Sequence, residues 1–398
     1  MTEATTIDVP VDRPAHGGES IGLSDGRVIL VRGAIPGERV RVALDDPDAK
    51  LWRGEAVEIL EPSPHRVERT CAAALAGAGC CDADFVDPAH APELKREVLL
   101  DALRRIGRFT PDELPDVSAT ALAPARGWRT RVRLGVDDRG RAGLRKRKSR
   151  DLVTGVGCAQ VAPGLMDGLG EEGTAPAGGE LHAVLDADGN RHLMHVIGGG
   201  RRRRTTTAEG SGIAPERIGD RELQVPADAF WQAHTAAAGH YVSRLRELLP
   251  EVEGGLAWDL YGGVGVFAGA LAGKVGPGGR VISVESFAGA GRVGRRALAD
   301  LPVEFRTSRV ETAVGKLGHK VDLVVLDPPR TGAGAAIVRA IATARPGDVL
   351  HIGCDPATFA RDARAWADNG YRIESLEVVD AFPGTHHLET IALLAPQG

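Results

Sequence analysis

The chain has 398 residues, 43% hydrophobic, 26% charged and only 4% aromatic, with a formal net charge of −5. This predicts two or three globular domains with ample core and few aromatic anchors. It excludes a globally basic nucleic-acid binder, so any such surface is a local patch.

No run of about 18 apolar residues suggests a membrane helix. The start, Met1-Thr-Glu-Ala-Thr-Thr-Ile-Asp-Val9, has no basic-then-apolar leader, which gives the expectation of a cytoplasmic protein. Five cysteines in such a chain read as catalysis or metal binding rather than a disulfide framework.

Residues 1–62 read as a small β domain. The runs Gly26–Arg32 and Glu38–Leu44 alternate or are β-branched, and the turn Gly33-Ala-Ile-Pro-Gly37 separates them. A third run, Trp52–Leu60, ends at Glu61-Pro-Ser-Pro64. Short strands with tight turns predict an OB-like barrel. On it, Arg32, Arg39, Arg41 and Arg53 either meet phosphates or form a solvated strand face.

Residues 63–225 read as a central α+β domain. Pro92–Ile106 has helical periodicity, and Trp128–Val136 alternates like a strand before the turn Asp137-Asp-Arg-Gly140. Basic charge clusters at Gly143-Leu-Arg-Lys-Arg-Lys148 and at Arg201-Arg-Arg-Arg204, either as RNA-backbone contacts or as solvated loops.

Residues 226–398 alternate strands and helices. Strands are predicted at Leu256–Tyr261, Arg280–Glu285, Val321–Asp327 and Asp348–Gly353, with helices such as Ala288–Ala299 and Gly334–Ala344 between them. That pattern predicts an α/β, Rossmann-like, mostly parallel sheet with ligands at the carboxyl ends of its strands.

The chemistry-bearing residues fall at those ends. Asp259-Leu-Tyr-Gly-Gly-Val-Gly-Val-Phe267 ends a strand and opens a helix, where glycines let a ligand approach free N–H groups. Gly263, Gly265 and Ala268 also fit the looser dinucleotide pattern, so a nicotinamide cofactor and S-adenosylmethionine both suit this turn. Glu285, ending the next strand, suits the ribose hydroxyls of an adenosine, or a helix cap. Asp327-Pro-Pro-Arg-Thr-Gly332 is a rigid loop at the same edge. Amino-group methylases carry an aromatic residue after such prolines; Arg330 stands there instead and argues against exocyclic-amine chemistry.

Cys354 follows the fourth strand, flanked by Gly353 and Pro356, which favours an exposed thiol over a buried inert one. Helix amides after Pro356 are expected to lower its pKa. Glu389, on a late strand after His386 and His387, suits a base; the two histidines lack a third metal ligand nearby. A thiol and a carboxylate close to a methyl donor are what carbon methylation of a pyrimidine needs. A thiolate adding to C6 makes C5 nucleophilic, and a base then removes the C5 proton so that the thiol can leave.

Together these residues resemble the S-adenosylmethionine-dependent RNA (uracil-5-)-methyltransferases, over nearly the whole chain. Gly17-Gly-Glu-Ser-Ile-Gly22 and Gly33-Ala-Ile-Pro-Gly-Glu38 look like a TRAM domain, an RNA-binding barrel. Ala227-Asp-Ala-Phe-Trp-Gln232, the glycine turn, Gly353-Cys-Asp-Pro-Ala-Thr358 and Phe382-Pro-Gly-Thr-His-His-Leu-Glu389 resemble the family's donor, nucleophile and base motifs. The resemblance implies Cys354 as nucleophile, Glu389 as base, and Gln232, Tyr261, Glu285 and Asp327 around the donor. Val266 and Gly353 depart from it, standing where a polar residue and a serine are usual.

Many family members hold an iron–sulfur cluster on three closely spaced cysteines and a later fourth. Here Cys71, Cys81 and Cys158 are the better ligands, with Cys80 as a shifted replacement, because adjacent cysteines are poorly placed to share one cluster. The alternative is a degenerate site held by packing. The implied product is 5-methyluridine in structured RNA, 23S ribosomal RNA ahead of transfer RNA, with no DNA or membrane partner. The rival readings are a methylase of a base amine and a non-catalytic RNA-binding protein.

Overall fold

The computed structural model describes residues 5–199, 202–318 and 320–397, so Arg201 of the four-arginine run lies outside the described residues. Strands β1 (Thr6–Ala15), β2 (Glu19–Ser24), β3 (Arg27–Arg32), β4 (Arg39–Leu44) and β5 (Trp52–Glu61) close a barrel in the order β1-β2-β3-β5-β4. Their alternation turns Val9, Val11, Ile29, Val31, Val40 and Val42 into its core. Glu38 locks the exit, accepting from the backbone N–H of Ile35 at 3.0 Å and Ser63 at 3.2 Å and from Arg66 Nε at 2.5 Å.

The four barrel arginines are each paired within the barrel. Arg32 meets Asp45, Arg39 meets Glu61, Arg41 meets Asp8 and Glu58, and Arg53 meets Glu19. This favours the solvated-face reading, although surface pairs worth about 0–1 kcal/mol yield readily to phosphate.

The next segment divides its elements between two bodies. Helices α1 (Ala72–Leu75) and α2 (Ala91–Arg105) precede β6 (Val117–Ala121). A six-stranded sheet follows, in the order β12-β11-β10-β7-β8-β9, built from β7 (Arg131–Val136), β8 (Ala142–Arg145), β9 (Leu152–Thr154), β10 (Glu180–Leu185), β11 (Arg191–Ile197) and β12 (Arg204–Glu209). A hairpin of β13 (Ile213–Ile218) and β14 (Arg221–Pro226) closes the segment. Strand β6 and helix α2, expected in the central domain, instead join the C-terminal body. Leu99 and Leu103 of α2 enter its core, and Lys95 is buried against Asp380 with Nζ–Oδ1 at 2.5 Å.

The C-terminal body runs through α3 (Ala237–Leu248), β15 (Leu256–Leu260), α4 (Val266–Val275), β16 (Arg280–Glu285), α5 (Ala288–Ala297), β17 (Val303–Thr307), α6 (Val310–Ala313) and β18 (Leu323–Leu326). It continues with α7 (Ala335–Thr343), β19 (Asp348–Gly353), α8 (Pro356–Asp368), β20 (Tyr371–Asp380) and β21 (Glu389–Pro396). Its sheet order is β17-β16-β15-β18-β19-β21-β20-β6. Strands β15 to β19 are parallel, and helices cover both faces, so Leu323–Leu326 is buried at every position. Strand β21 runs antiparallel between β19 and β20. It therefore begins at the edge where the parallel strands end. No helix among the described residues is long and apolar enough to cross a membrane.

Candidate active site

The first parallel strand ends in a turn that glycine alone can make. A Cβ on Gly262 would lie 2.3 Å from both Asp259 Oδ2 and Ser283 Oγ. Gly263 and Gly265 have left-handed φ of 55° and 88°. Tyr261 is also left-handed, at φ 63°, a conformation that costs a non-glycine residue about 1–3 kcal/mol and marks functional turns. Glu285 reaches across to this turn, accepting from Gly263 N–H at 3.1 Å and from Phe287 N–H at 2.5 Å. It thus braces the turn and the backbone just before α5 together. Trp231 packs against the cluster of Leu223, Val225, Val264 and Ala290, and its neighbour Gln232 is half-buried.

Asp259 is a site residue that the sequence reading did not single out. It is fully buried, Oδ2 accepts from Ser283 Oγ at 2.8 Å, and Oδ1 has no partner. Burial, then the charge of Glu285, pushes it up to about 7. Asp327, at the end of β18, is pushed up to about 7 by burial and by Asp259. Position alone was the signal: a carboxylate on a buried strand directly before a glycine turn.

The thiol and the carboxylate meet through sheet register. Gly353 pairs with Thr390 in the antiparallel β19–β21 ladder, so the next residues outward, Cys354 and Glu389, lie opposite one another. Thr390 Oγ1 donates to Gly353 O at 2.9 Å and fixes this end. The departure at Gly353 also has a physical reason. A Cβ there would come within 2.8 Å of Phe359 Cδ2 and Thr390 Oγ1.

Glu389 is buried and its Oε2 has no hydrogen-bond partner. Burial, then the Asp327 charge, holds it well above the usual carboxylate range, against the pull of Arg330. Half-buried Cys354 is pushed up to about 12 by burial, Glu389 and Asp327, with Arg330 opposing. The expected help from helix amides is corrected here. Asp355, the N-cap of α8, takes the amides of Ala357 at 3.0 Å and Thr358 at 2.9 Å for itself. Tyr241 of α3, also missed by sequence reasoning, buries an unpartnered hydroxyl that feels Glu389, Asp327 and Cys354. The site is therefore rich in acids, and among the described residues Arg330 opposes them.

His386 and His387 do other work than metal binding. His386 is hydrogen-bonded to Asp82, and burial together with His386 and Arg330 pushes His387 down to about 3, so that it is neutral.

The four remaining cysteines converge. Cys71, Cys80, Cys81 and Cys158 have all their Sγ atoms within 4.8 Å of one another, with Cys158 lying 3.4 Å from Cys80, 3.7 Å from Cys81 and 3.9 Å from Cys71. The four named cysteines meet, although the adjacency of Cys80 and Cys81 marks that pair as poorly placed to share one cluster. Cys80 and Cys81 lie in a bend, where the alternation of a strand does not apply. Partly buried Arg129, its Nε without a partner, lies beside the thiols and feels the charge of Cys158, Cys80 and Cys81. An all-sulfur donor set with a compensating guanidinium fits a soft-metal centre. The spacing matches the ~3.8 Å edge of a single tetrahedral ion with metal–sulfur bonds of about 2.3 Å. A cluster, which seats each thiolate on its own iron, needs the sulfurs farther apart.

Residues 306–397 match a family described as tRNA (Uracil-5-)-methyltransferase, and residues 2–57 match the TRAM domain. An uncharacterised RNA methyltransferase of Corynebacterium glutamicum is 48% identical over 99% of this chain and 97% of its own. One from Streptomyces coelicolor is 36% identical over 98% of this chain and 92% of its own. The solved tRNA (uracil-54, C5)-methyltransferase of Pyrococcus abyssi, in complex with S-adenosyl-L-homocysteine, has a TM-score of 0.71. That match covers 97% of this chain and 99% of the other at 22% identity, a likeness of fold.

Proposed function

The chain belongs to the S-adenosylmethionine-dependent RNA (uracil-5-)-methyltransferases with an N-terminal TRAM domain, and we propose that it methylates C5 of a uridine in structured RNA through Cys354 and Glu389. The observation that carries this reading is the β19–β21 register, which sets one thiol against one buried carboxylate at the donor edge. The target base is flipped into the cleft. Cys354 Sγ bonds to C6, C5 takes the methyl group from the sulfonium, Glu389 takes the C5 proton, and the C6–S bond then breaks. Gln232, Tyr261, Glu285 and Asp327 hold the donor. Its positive sulfonium is the counter-charge that the acid-rich pocket lacks, and its arrival favours both the thiolate and the ionised Glu389.

Arg330, facing Cys354, Glu389 and His387, stands where an amine methylase places an aromatic ring. The proposed substrate is 23S ribosomal RNA in the cytoplasm. Transfer RNA is the second reading, favoured by the names of the matching family and the Pyrococcus neighbour. Both RNAs are assayed separately, carrying 5-fluorouridine. Fluorine cannot leave C5 as a proton, so a covalent protein–RNA complex is expected with one pool. No complex with either pool, in protein shown to bind the donor, would sink the mechanism.

For the cysteine centre the proposed group is a soft metal held by Cys71, Cys80, Cys81 and Cys158, an iron–sulfur cluster by the family resemblance or a single ion by the Sγ spacing. The family resemblance and the all-thiolate donor set support it. Protein purified without oxygen is expected to be brown and to contain iron and labile sulfide. Colourless protein with one zinc per chain would put a single ion on the same four ligands.

A further inference from the structure

The cysteine segment and the base loop are tied together across the fold. Asp82, directly after Cys81, accepts the backbone N–H of His386 at 3.0 Å and bonds the His386 ring through its other oxygen. Ala83 N–H donates to Gly384 O at 3.0 Å. Trp128 Nε1 donates to Pro383 O at 3.2 Å, and Gln160, two residues after Cys158, donates to Cys80 O at 2.8 Å. The loop of Pro383, Gly384 and His386 is thus hydrogen-bonded to Asp82 and Ala83, which directly follow Cys81, and to Trp128. Glu389 follows three residues later as the first residue of β21. The barrel closes the arrangement from outside, where a Cβ on Gly18 would touch His386 Cβ at 3.0 Å.

We propose that Asp82 is a positioning residue through which the cysteine centre sets the place of Glu389. Without the metal, Cys80 and Cys81 lose the bond that fixes their bend, and Asp82 moves with them. The consequence falls on one step. Sulfur addition to C6 and methyl transfer to C5 depend on Cys354, held by β19 and α8, which the loop does not carry. Transfer of the C5 proton to Glu389, with cleavage of the C6–S bond, depends on the loop. This inference rests on the Cys354–Glu389 reading above.

The test is Asp82→Asn, with wild-type protein stripped by chelator as a second route that needs no folding of a variant. Each is mixed with S-adenosylmethionine and ordinary uridine-containing RNA. The expected result is a turnover about 10- to 100-fold lower, the range for outer-sphere partners of a metal site, with unchanged donor affinity. A methylated protein–RNA adduct that survives denaturant accumulates, and Asp82→Glu partly restores turnover. Loss of turnover without adduct in both preparations would overturn the proposal and leave the centre a packing element. So would wild-type turnover in both. Failure of the underlying reading is distinct: wild-type protein would then form no adduct even on 5-fluorouridine RNA.

Discussion

Cys354→Ala is expected to abolish methyl transfer while leaving donor binding intact. Removing a nucleophile that works in concert with its partners costs on the order of 10⁶-fold in turnover. On the proposed reading the donor is held elsewhere, at the ends of β15 and β16, by the glycine turn that Glu285 braces. Calorimetry with S-adenosylmethionine should therefore read the same affinity in variant and wild type, and the 5-fluorouridine complex should vanish. The thiol environment adds a pH signature. Cys354 sits at about 12 in the free protein, raised by burial and by the neighbouring acids, so it is a neutral thiol at pH 7. Deprotonation becomes easier as pH rises, so the rate of adduct formation should climb through the alkaline range. Arg330→Ala, which removes the cation that opposes this rise, should slow adduct formation further at neutral pH. Turnover retained in Cys354→Ala would end the covalent mechanism.

The doubly wound sheet was legible because its strands are apolar runs that end in glycine, proline or acid, and those ends are the site. Where a residue's location follows from a strand end, as with Cys354 just past β19 and Glu285 ending β16, sequence sufficed to locate it. What escaped depends on chain segments far apart. Strand β6, Val-Ser-Ala-Thr-Ala at Val117–Ala121, is short and half polar because it lies at a sheet edge, so its pattern carries no signal. In the barrel, β1 was not read at all; it carries Pro10 and Pro14, residues that strands disfavour. The Asp82–His386 contact joins residues 304 apart, and no local pattern announces it. The expected lowering of the Cys354 pKa failed because burial and the neighbouring Glu389 and Asp327 raise it, while Asp355, one residue on, takes the amides that were to oppose them. A side chain that caps a helix competes with any neighbour that needs the same N–H groups.

Glu389→Gln is expected to trap the reaction half-finished and to make the protein more stable. Gln keeps the shape but cannot accept the C5 proton, so turnover falls by about 10²- to 10⁴-fold, and the methylated adduct accumulates on ordinary uridine RNA. The stability change follows from proton linkage. Glu389 is held well above the usual carboxylate range by burial and by Asp327. The folded protein therefore keeps a proton that the unfolded chain releases at about pH 4.3. That contribution is complete below the unfolded value and is lost as pH rises toward the folded one, at about 1.4 kcal/mol for each pH step between them. Gln has no such proton to lose. Its advantage should be slight near pH 4 and grow through neutrality, which thermal melts at acid and neutral pH will show. Falling stability in the variant at every pH would make Glu389 a packing residue. A base must also be ionised to act, and burial and Asp327 hold this one toward its protonated form. On the proposed reading the bound sulfonium adds positive charge to that of Arg330, so donor binding should release protons from wild-type protein. Calorimetry in buffers of different ionisation heat should show that release reduced in Glu389→Gln. It should also be smaller for S-adenosylhomocysteine, which lacks the positive sulfur, than for S-adenosylmethionine. Equal proton release by both ligands would mean that the sulfonium charge does not reach Glu389.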